Sequence, residues 1–290
     1  MRVLFLLFAL AAYAVAQAPF KVLVVYSASD GGHSPMSVAG KPVFEKLATT
    51  GGYTVDFTSD RTTLNDANLA KYPVLVLLNA FPFDLTAAQQ QAIQKYVEAG
   101  NGWIGIHATG CAQASWPWYV KLLGDVTWVT HANLRDGTLL FEDRTHAITK
   151  NMPASITLKE EWYQFSKSPR ANVRVLAKAG PTGNAGYDNG TDHPMVWCNL
   201  TYPKAVYISP GHDPSDWANP AYVNLVRDAI AFAGPVTTGA RLRRVDPGPG
   251  TKRAARLDGG LLTWGAPAAN SGPIVLRVDA GGRLIAGAER

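Results

Sequence analysis

This 290-residue sequence predicts an α/β fold, a mostly parallel sheet with helices on both faces. Three observations carry that prediction. Short apolar runs bounded by turn residues recur along the chain, capped helical patterns stand between them, and the helical pattern stops at Gly234, where the sequence becomes rich in Pro, Gly and Arg.

The first element is a leader. Arg2 precedes an apolar run from Val3 to Val15 that ends in Ala14-Val15-Ala16, the single charge, short hydrophobic stretch and small-residue site of a secretory signal peptide cut before Gln17. Residues 1–16 are too short an apolar run for a spanning segment, and no later stretch comes closer to one, so no membrane span is expected. Export follows, to the periplasm, cell surface or medium. In an oxidising compartment Cys111 and Cys198, the two cysteines of the chain, could pair; their connectivity would be fixed and only the bond's existence is open.

Buried strands are predicted at residues 21–26, 53–57, 73–79, 102–106, 173–177 and 205–209, each a short apolar run between turn residues. The clearest helix starts at Thr86 with Gln89 three positions on, a capping-box spacing. It places Ala88, Ala92, Ile93, Tyr96 and Val97 on its apolar side and stops at Gly100. A second opens with Asn219-Pro220 and carries Tyr222, Leu225, Val226, Ala229, Ile230 and Ala233 before Gly234. Strands alternating with helices imply the parallel sheet, and such sheets bind ligands beyond the carboxyl ends of their strands. The domain boundaries are therefore 1–16, 20–234 and 235–290. The last region is either a small β-type appendage, with strands at 259–264 and at 273–285 folded into a hairpin over Asp279-Ala280-Gly281-Gly282, or a linker and sorting tail.

The formal charge of +5 lies wholly in residues 239–290, which hold nine basic and four acidic side chains, whereas residues 17–238 hold 17 basic and 18 acidic. A phosphate-backbone footprint needs clustered cations on the working domain, so nucleic acid is excluded as the main partner.

Chemistry concentrates in the histidines, most of which follow a predicted strand or sit in a loop: His33, His107, His131, His193 and His212. Any one of them alone is ordinarily structural. Several at one sheet edge point to acid/base work or metal ligation. His107 stands in Gly102-Trp103-Ile104-Gly105-Ile106-His107-Ala108-Thr109-Gly110, the strand-to-turn element where α/β hydrolases and amidotransferases put a nucleophile on a tight elbow. Cys111 lies four residues on, outside that elbow. Glu160, Glu161 and Asp192 are the carboxylates placed to face the same cleft, and Trp116, Trp118, Tyr119, Trp162 and Tyr163 supply rings on which a pyranose could stack. Asn189-Gly190-Thr191 and Asn199-Leu200-Thr201 match glycosylation sequons.

Six ordered motifs carry a family resemblance: Gly105-Ile106-His107-Ala108, Trp116-Pro117-Trp118-Tyr119, Thr145-His146-Ala147-Ile148-Thr149-Lys150, Glu160-Glu161-Trp162-Tyr163-Gln164-Phe165, Asp192-His193-Pro194-Met195-Val196-Trp197 and Tyr207-Ile208-Ser209-Pro210-Gly211-His212. Over residues 21–234 the chain resembles the ThuA-like, trehalose-utilisation family. The resemblance implies a class I glutamine amidotransferase-like fold with flavodoxin-like layers, in which the usual elbow cysteine is replaced, here by His107. It also implies use of trehalose or related sugars. His131-Ala132 stands where His-Pro would be expected, and Cys111 and the Arg-rich tail lie outside the resemblance.

The leading expectation is an exported carbohydrate-active enzyme, acting hydrolytically or by proton transfer on a disaccharide or oxidised sugar. His107, His193, His212, Asp192 and Glu161 would form the catalytic set, with Asp192 orienting a histidine; Trp116, Trp118, Tyr119, Trp162 and Tyr163 would hold a small carbohydrate ligand. His107, His131 and His212 are candidate ligands for a divalent metal such as zinc, although their spacing is no diagnostic signature. Two rivals remain: a non-catalytic sugar-binding module, favoured by the missing elbow nucleophile, and a cysteine hydrolase using Cys111 with His193 or His212.

Overall fold

The computed structural model describes residues 19–131, 133–180 and 192–235, and beyond them the backbone of four strands. The expected leader and the first of the two sequons lie outside the described residues. The chain divides into two units, residues 1–238 and 239–290.

The first unit is built on a nine-stranded sheet. Its strands are β1 (Lys21–Tyr26), β2 (Thr54–Thr58), β3 (Val74–Leu78), β4 (Gly102–Ile106), β6 (Arg135–Phe141), β7 (Ser155–Glu160), β9 (Val173–Ala179), β10 (Pro194–Asn199) and β11 (Ala205–Ile208). Their order is β2-β1-β3-β4-β11-β10-β9-β6-β7. From β2 to β11 every pairing is parallel, and all five of these strands were predicted from the sequence. From β11 to β7 every pairing is antiparallel. Those four reversals return β7 to the direction of β11, so the carboxyl end of β7 lies at the same edge as the carboxyl ends of the parallel strands. A separate ribbon pairs β5 (Trp128–His131) with β8 (Tyr163–Phe165).

The pleat sends alternate residues to opposite faces, and each face has its own core. Val22, Val24, Val74, Val76, Ile104, Ile106, Val206 and Ile208 pack with residues of α1 (Ser34–Gly51) and α5 (Pro220–Ala233). Leu23, Val25, Leu75, Leu77, Trp103 and Tyr207 pack with residues of α2 (Asp66–Leu69), α3 (Ala87–Glu98) and α4 (Pro117–Leu122). Each large aliphatic side chain so buried is worth roughly 1.5–3 kcal/mol over leaving it exposed. The predicted capping box is present: the Gln89 amide donates to Thr86 Oγ1 at 3.3 Å, and the Thr86 amide to Gln89 Oε1 at 2.8 Å. Asn219 caps α5 with Pro220 at its first turn. α1 is less regular, with Pro42 inside it and Gly40 where a Cβ would come within 3.0–3.3 Å of the Trp217 indole; that glycine lets α1 lie against the ring.

Both cysteines are free and buried, Cys111 in the core of one face and Cys198 in that of the other. The sheet separates them, which removes the disulfide option. The sequon at Asn199 is also spent, because the side chain is 3 % exposed and donates to the Lys121 and Leu122 carbonyls at 2.8 and 2.9 Å. No helix among the described residues is long and apolar enough to cross a membrane. The second unit holds β12 (Ala255–Asp258), β13 (Leu261–Trp264), β14 (Ile274–Val278) and β15 (Leu284–Ala288), paired antiparallel in that order.

Candidate functional site

The residue after β4 sits in a conformation that side chains avoid. His107 has φ 51°, the left-handed region, and Asn79, directly after the adjacent β3, has φ 52°. Asn79 holds both turns: its Nδ2 donates to the Gly211 carbonyl at 3.0 Å and its Oδ1 accepts from the Ala108 amide at 3.2 Å. Tyr207 donates its hydroxyl hydrogen to the His107 carbonyl at 2.9 Å. A buried, over-determined backbone of this kind is where folds hold strain for function, and it aims the His107 imidazole off the sheet edge.

Four side chains meet there. His33 ends the loop after β1, His107 follows β4, His212 follows β11, and Glu161 follows β7. One ligand atom from each lies within 4.8 Å of all the others. His107 Nε2 is 3.5 Å and His33 Nε2 3.8 Å from Glu161 Oε2, and His212 Nε2 is 3.3 Å from Glu161 Oε1. The His107 and His212 rings lie nearly parallel, 13° apart with centroids at 5.4 Å.

The far sides of two rings are already engaged. His107 Nδ1 donates to the Ser209 carbonyl at 2.8 Å, and His33 Nδ1 is bound to the Asp30 carboxylate. In neutral imidazoles this leaves a lone pair on each Nε2, and both Nε2 atoms are buried with no hydrogen-bond partner among the described residues. Orphaned buried nitrogens that converge on a carboxylate fit a cation.

Charge follows the geometry. Burial pushes the Glu161 carboxyl up, but contact with His107 and His33 and the field of His212 outweigh it and hold the group well below the usual carboxylate range. Burial pushes His107 down to about 4, against the pull of Glu161. Burial also holds His212 below its ordinary value. At His33 burial lowers and the two carboxylates Glu161 and Asp30 raise, with a net rise. The Glu161 carboxylate thus faces two imidazoles biased towards the neutral form, His107 and His212, and one, His33, biased towards the charged form.

Behind it lies a buried acid pair. Glu160 Oε1 accepts the Gly211 and His212 amides at 2.5 and 3.0 Å, which fixes the turn carrying His212. Burial and the neighbouring Asp216 push Glu160 well above the carboxylate range, and burial pushes Asp216 up to about 6. A cavity of about 530 Å³, lined by Asp136, Thr157, Lys159, Ser215, Asp216 and Asn219 among others, meets this pair at Asp216 and contains none of the four clustered side chains.

Of the expected catalytic set, the structure brings His107, His212 and Glu161 together. His193 is at the same sheet edge but one strand over, buried, with Nε2 bonded to the Tyr163 carbonyl at 2.8 Å. The Asp192 carboxylate is taken by Arg170 and Ser168 rather than by a histidine, and Arg170 also spans to Glu142. His131, an expected metal ligand, stands outside the four-residue cluster on β5, more exposed, with Nδ1 3.7 Å from Glu161 Oε1.

The expected ring platform is mostly core. Trp116, Tyr119, Trp162 and Tyr163 are buried, and Trp118 is half-buried. Tyr119 donates to the Thr109 carbonyl, Trp118 Nε1 to the Tyr202 hydroxyl and Trp162 Nε1 to the Arg135 carbonyl. Trp162 has a different use: its indole covers Gly137, where a Cβ would come within 2.4 Å, and so anchors the corner that presents Glu161. Tyr163 packs on His107 with centroids at 4.3 Å. Burial pushes the Cys111 thiol up to about 12, and its Sγ faces the Tyr163 hydroxyl at 3.9 Å, so it supplies no thiolate at neutral pH.

His33 was the member of the cluster missing from the sequence-based set. Its signal was present in Asp30-Gly31-Gly32-His33, a carboxylate three residues ahead of a histidine after a strand, but nothing in one sequence shows that this turn and the β7 corner face each other. Asn79 carried no comparable signal.

A family model described as ThuA, trehalose utilisation, matches residues 21–233. Among solved structures, a ThuA-like protein from Bacteroides uniformis is 30 % identical, with a TM-score of 0.70 over 77 % of this chain and 95 % of that one. A ThuA-like protein from Parabacteroides merdae is 18 % identical, with a TM-score of 0.59 over 74 % of this chain and 90 % of that one. No curated protein matches the chain.

Proposed function

Because the chain belongs to the ThuA, trehalose-utilisation, family, we propose that it is an exported, metal-dependent enzyme acting on trehalose, a related disaccharide or an oxidised form of one, by hydrolysis or proton transfer. One observation carries the proposal: His33, His107, His212 and Glu161 present four ligand atoms within 4.8 Å, with the Nε2 atoms of His33 and His107 buried and unpartnered.

A set of three imidazoles and one carboxylate suits zinc and neighbouring first-row ions better than magnesium or calcium, which prefer oxygen. A bound divalent ion would polarise a sugar oxygen or lower the pKa of a coordinated water. The chain's own residues supply the rest. Ser209 and Asp30 fix which nitrogen of His107 and His33 faces the centre. Glu160 holds the His212 turn. His193, through the Tyr163 carbonyl, steadies the residue that packs on His107. His131, on the exposed side of Glu161, is the group placed to carry a proton to or from substrate. Export rests on the Arg2 to Ala16 leader.

The test is metal analysis of the purified mature protein beside His107→Ala, as isolated and after chelation and reloading, followed by trehalose turnover. About one ion per chain in the wild type, lost in the variant, and turnover that returns on reloading are expected. A wild type that takes up no divalent ion overturns the metal reading, and one that binds ion and sugar without turnover is a binding module instead.

A further inference from the structure

The buried tryptophans leave open which surface receives the rest of a sugar. Among the described residues four large apolar side chains are strongly exposed: Val38, Phe83, Val129 and Leu200. Two of them follow in sequence a residue in the cluster or against it, and a third stands near His131, outside it. Val38 is in the first turns of α1 after His33, Val129 is two residues before His131, and Phe83 follows Phe81 in the turn after β3. Scattered exposed apolar residues mean little, but apolar groups gathered at the segments around a polar centre mark a ligand surface.

The rings form a path. Phe81 meets His33 edge to face with centroids at 5.3 Å, and Phe83, 51 % exposed, lies 5.1 Å beyond Phe81. Each step is about the width of a sugar ring. Polar partners stand at the same sheet edge: Arg61 pairs with Asp84, next to Phe83, at 3.1 Å and donates to Ser27, just beyond β1, at 3.2 Å. An aromatic face beside a fixed guanidinium and carboxylate is the chemistry that recognises a pyranose, apolar on its face and hydroxylated at its rim.

We propose that Phe81 and Phe83 form the ledge on which the second ring of a disaccharide stacks while its first ring addresses the centre of His33, His107, His212 and Glu161. The proposal rests on reading that centre as a sugar site. It assigns Phe83 a role in binding and specificity: it should favour two-ring over one-ring sugars.

The experiment is calorimetric titration of the metal-loaded protein with trehalose and with glucose, for wild type, Phe83→Ala and Phe83→Trp. Phe83 is chosen because it is exposed, so truncation leaves the fold and the metal content intact, which melting and metal analysis check. Phe83→Ala is expected to bind trehalose about five- to tenfold more weakly, the scale of one lost ring contact, with glucose affinity unchanged. Phe83→Trp is expected to retain trehalose binding and to shift its emission when trehalose, but not glucose, is added. Wild type and Phe83→Ala binding trehalose equally, or an indole at 83 blind to bound trehalose, overturns the ledge alone. A metal-loaded wild type that binds neither sugar overturns the functional reading and the ledge together.

Discussion

Glu161 Oε2 lies 3.5 Å from His107 Nε2, and among the described residues neither that nitrogen nor His33 Nε2 has a hydrogen-bond partner. The carboxylate comes from the antiparallel half of the sheet and the imidazoles from the parallel half, so the centre exists only when both halves are formed. Removing the charge while keeping the shape isolates its contribution. Glu161→Gln is expected to weaken ion binding by more than the roughly 10–100-fold that loss of an outer partner costs, as read by competition with a chromogenic chelator. An unchanged affinity would take Glu161 out of the ligand set.

Asp30 is such an outer partner. Its carboxylate holds His33 Nδ1 and, through Oδ1, accepts the Gly32 amide at 3.0 Å. Asp30→Asn keeps the turn but weakens the grip on the ring. The expected outcome is a loss of about 10–100-fold in ion affinity with little change in melting temperature. If affinity holds and stability falls instead, Asp30 serves the loop and not the metal centre.

Gly211 precedes the third histidine with φ 145°, a conformation open to glycine alone, and a Cβ there would meet Ile106 Cγ2 at 2.6 Å and the Tyr222 hydroxyl at 3.0 Å. Gly211→Ala should therefore cost about 1–3 kcal/mol of stability from the backbone alone, with more from the clash. Its second effect is local, since the Gly211 and His212 amides are the pair held by Glu160. Urea unfolding measures the first effect and metal stoichiometry the second; a variant as stable as wild type would mean the turn can be rebuilt.

Legibility in the sequence tracked how local the signal was. Thr86 with Gln89, and Asn219 with Pro220, are contacts within one turn, and both helix starts were readable. The parallel strands were readable because burial on both faces makes them continuous apolar runs, as at Val74–Leu78. β7 escaped because it alternates exposed and buried residues from Ser155 to Glu160, and β10 because its start, Pro194, follows a masking Asp-His pair that reads as loop.

The site divides in the same way. His107 and His212 were found because each directly follows a readable strand or its turn. Glu161 was found as one of two adjacent carboxylates, but its convergence on them depends on four strand reversals that no local pattern encodes. Aromatic composition misled for a physical reason: an indole serves a core and a sugar equally well, and Trp162 is used to brace a glycine. The exposed ring was Phe83, which no tryptophan count would reveal.

Cys111 and Cys198 lie in the cores of opposite faces, and burial pushes both thiols up to about 12. Reductant is therefore expected to leave the melting temperature unchanged. A thiol reagent should label the native protein slowly and without loss of activity, then react with two thiols per chain once the protein is unfolded. Rapid inactivation of the folded protein by alkylation would restore Cys111 as a nucleophile.

His146 gives a test of stability that does not touch the centre. It is 8 % exposed, packs edge-on to Phe232 with centroids at 4.7 Å, and accepts the Ile148 amide on Nδ1 at 3.3 Å, a bond that protonation would break. Burial first, then the charge of Arg174, hold it below its ordinary value of 6.5, and Asp143, itself bound to Arg174, offsets only part of this. The unfolded chain thus takes up a proton near pH 6.5 that the folded chain takes up only at lower pH. The contribution of neutral His146 is complete above that value and is lost as pH falls towards the folded pKa, at a slope of up to about 1.4 kcal/mol per pH unit for one proton. His146→Gln keeps an acceptor without the proton, so its unfolding free energy should fall less than that of the wild type between pH 7.5 and 5.5. Equal losses in the two proteins would show that the imidazole titrates alike in the folded and unfolded chain.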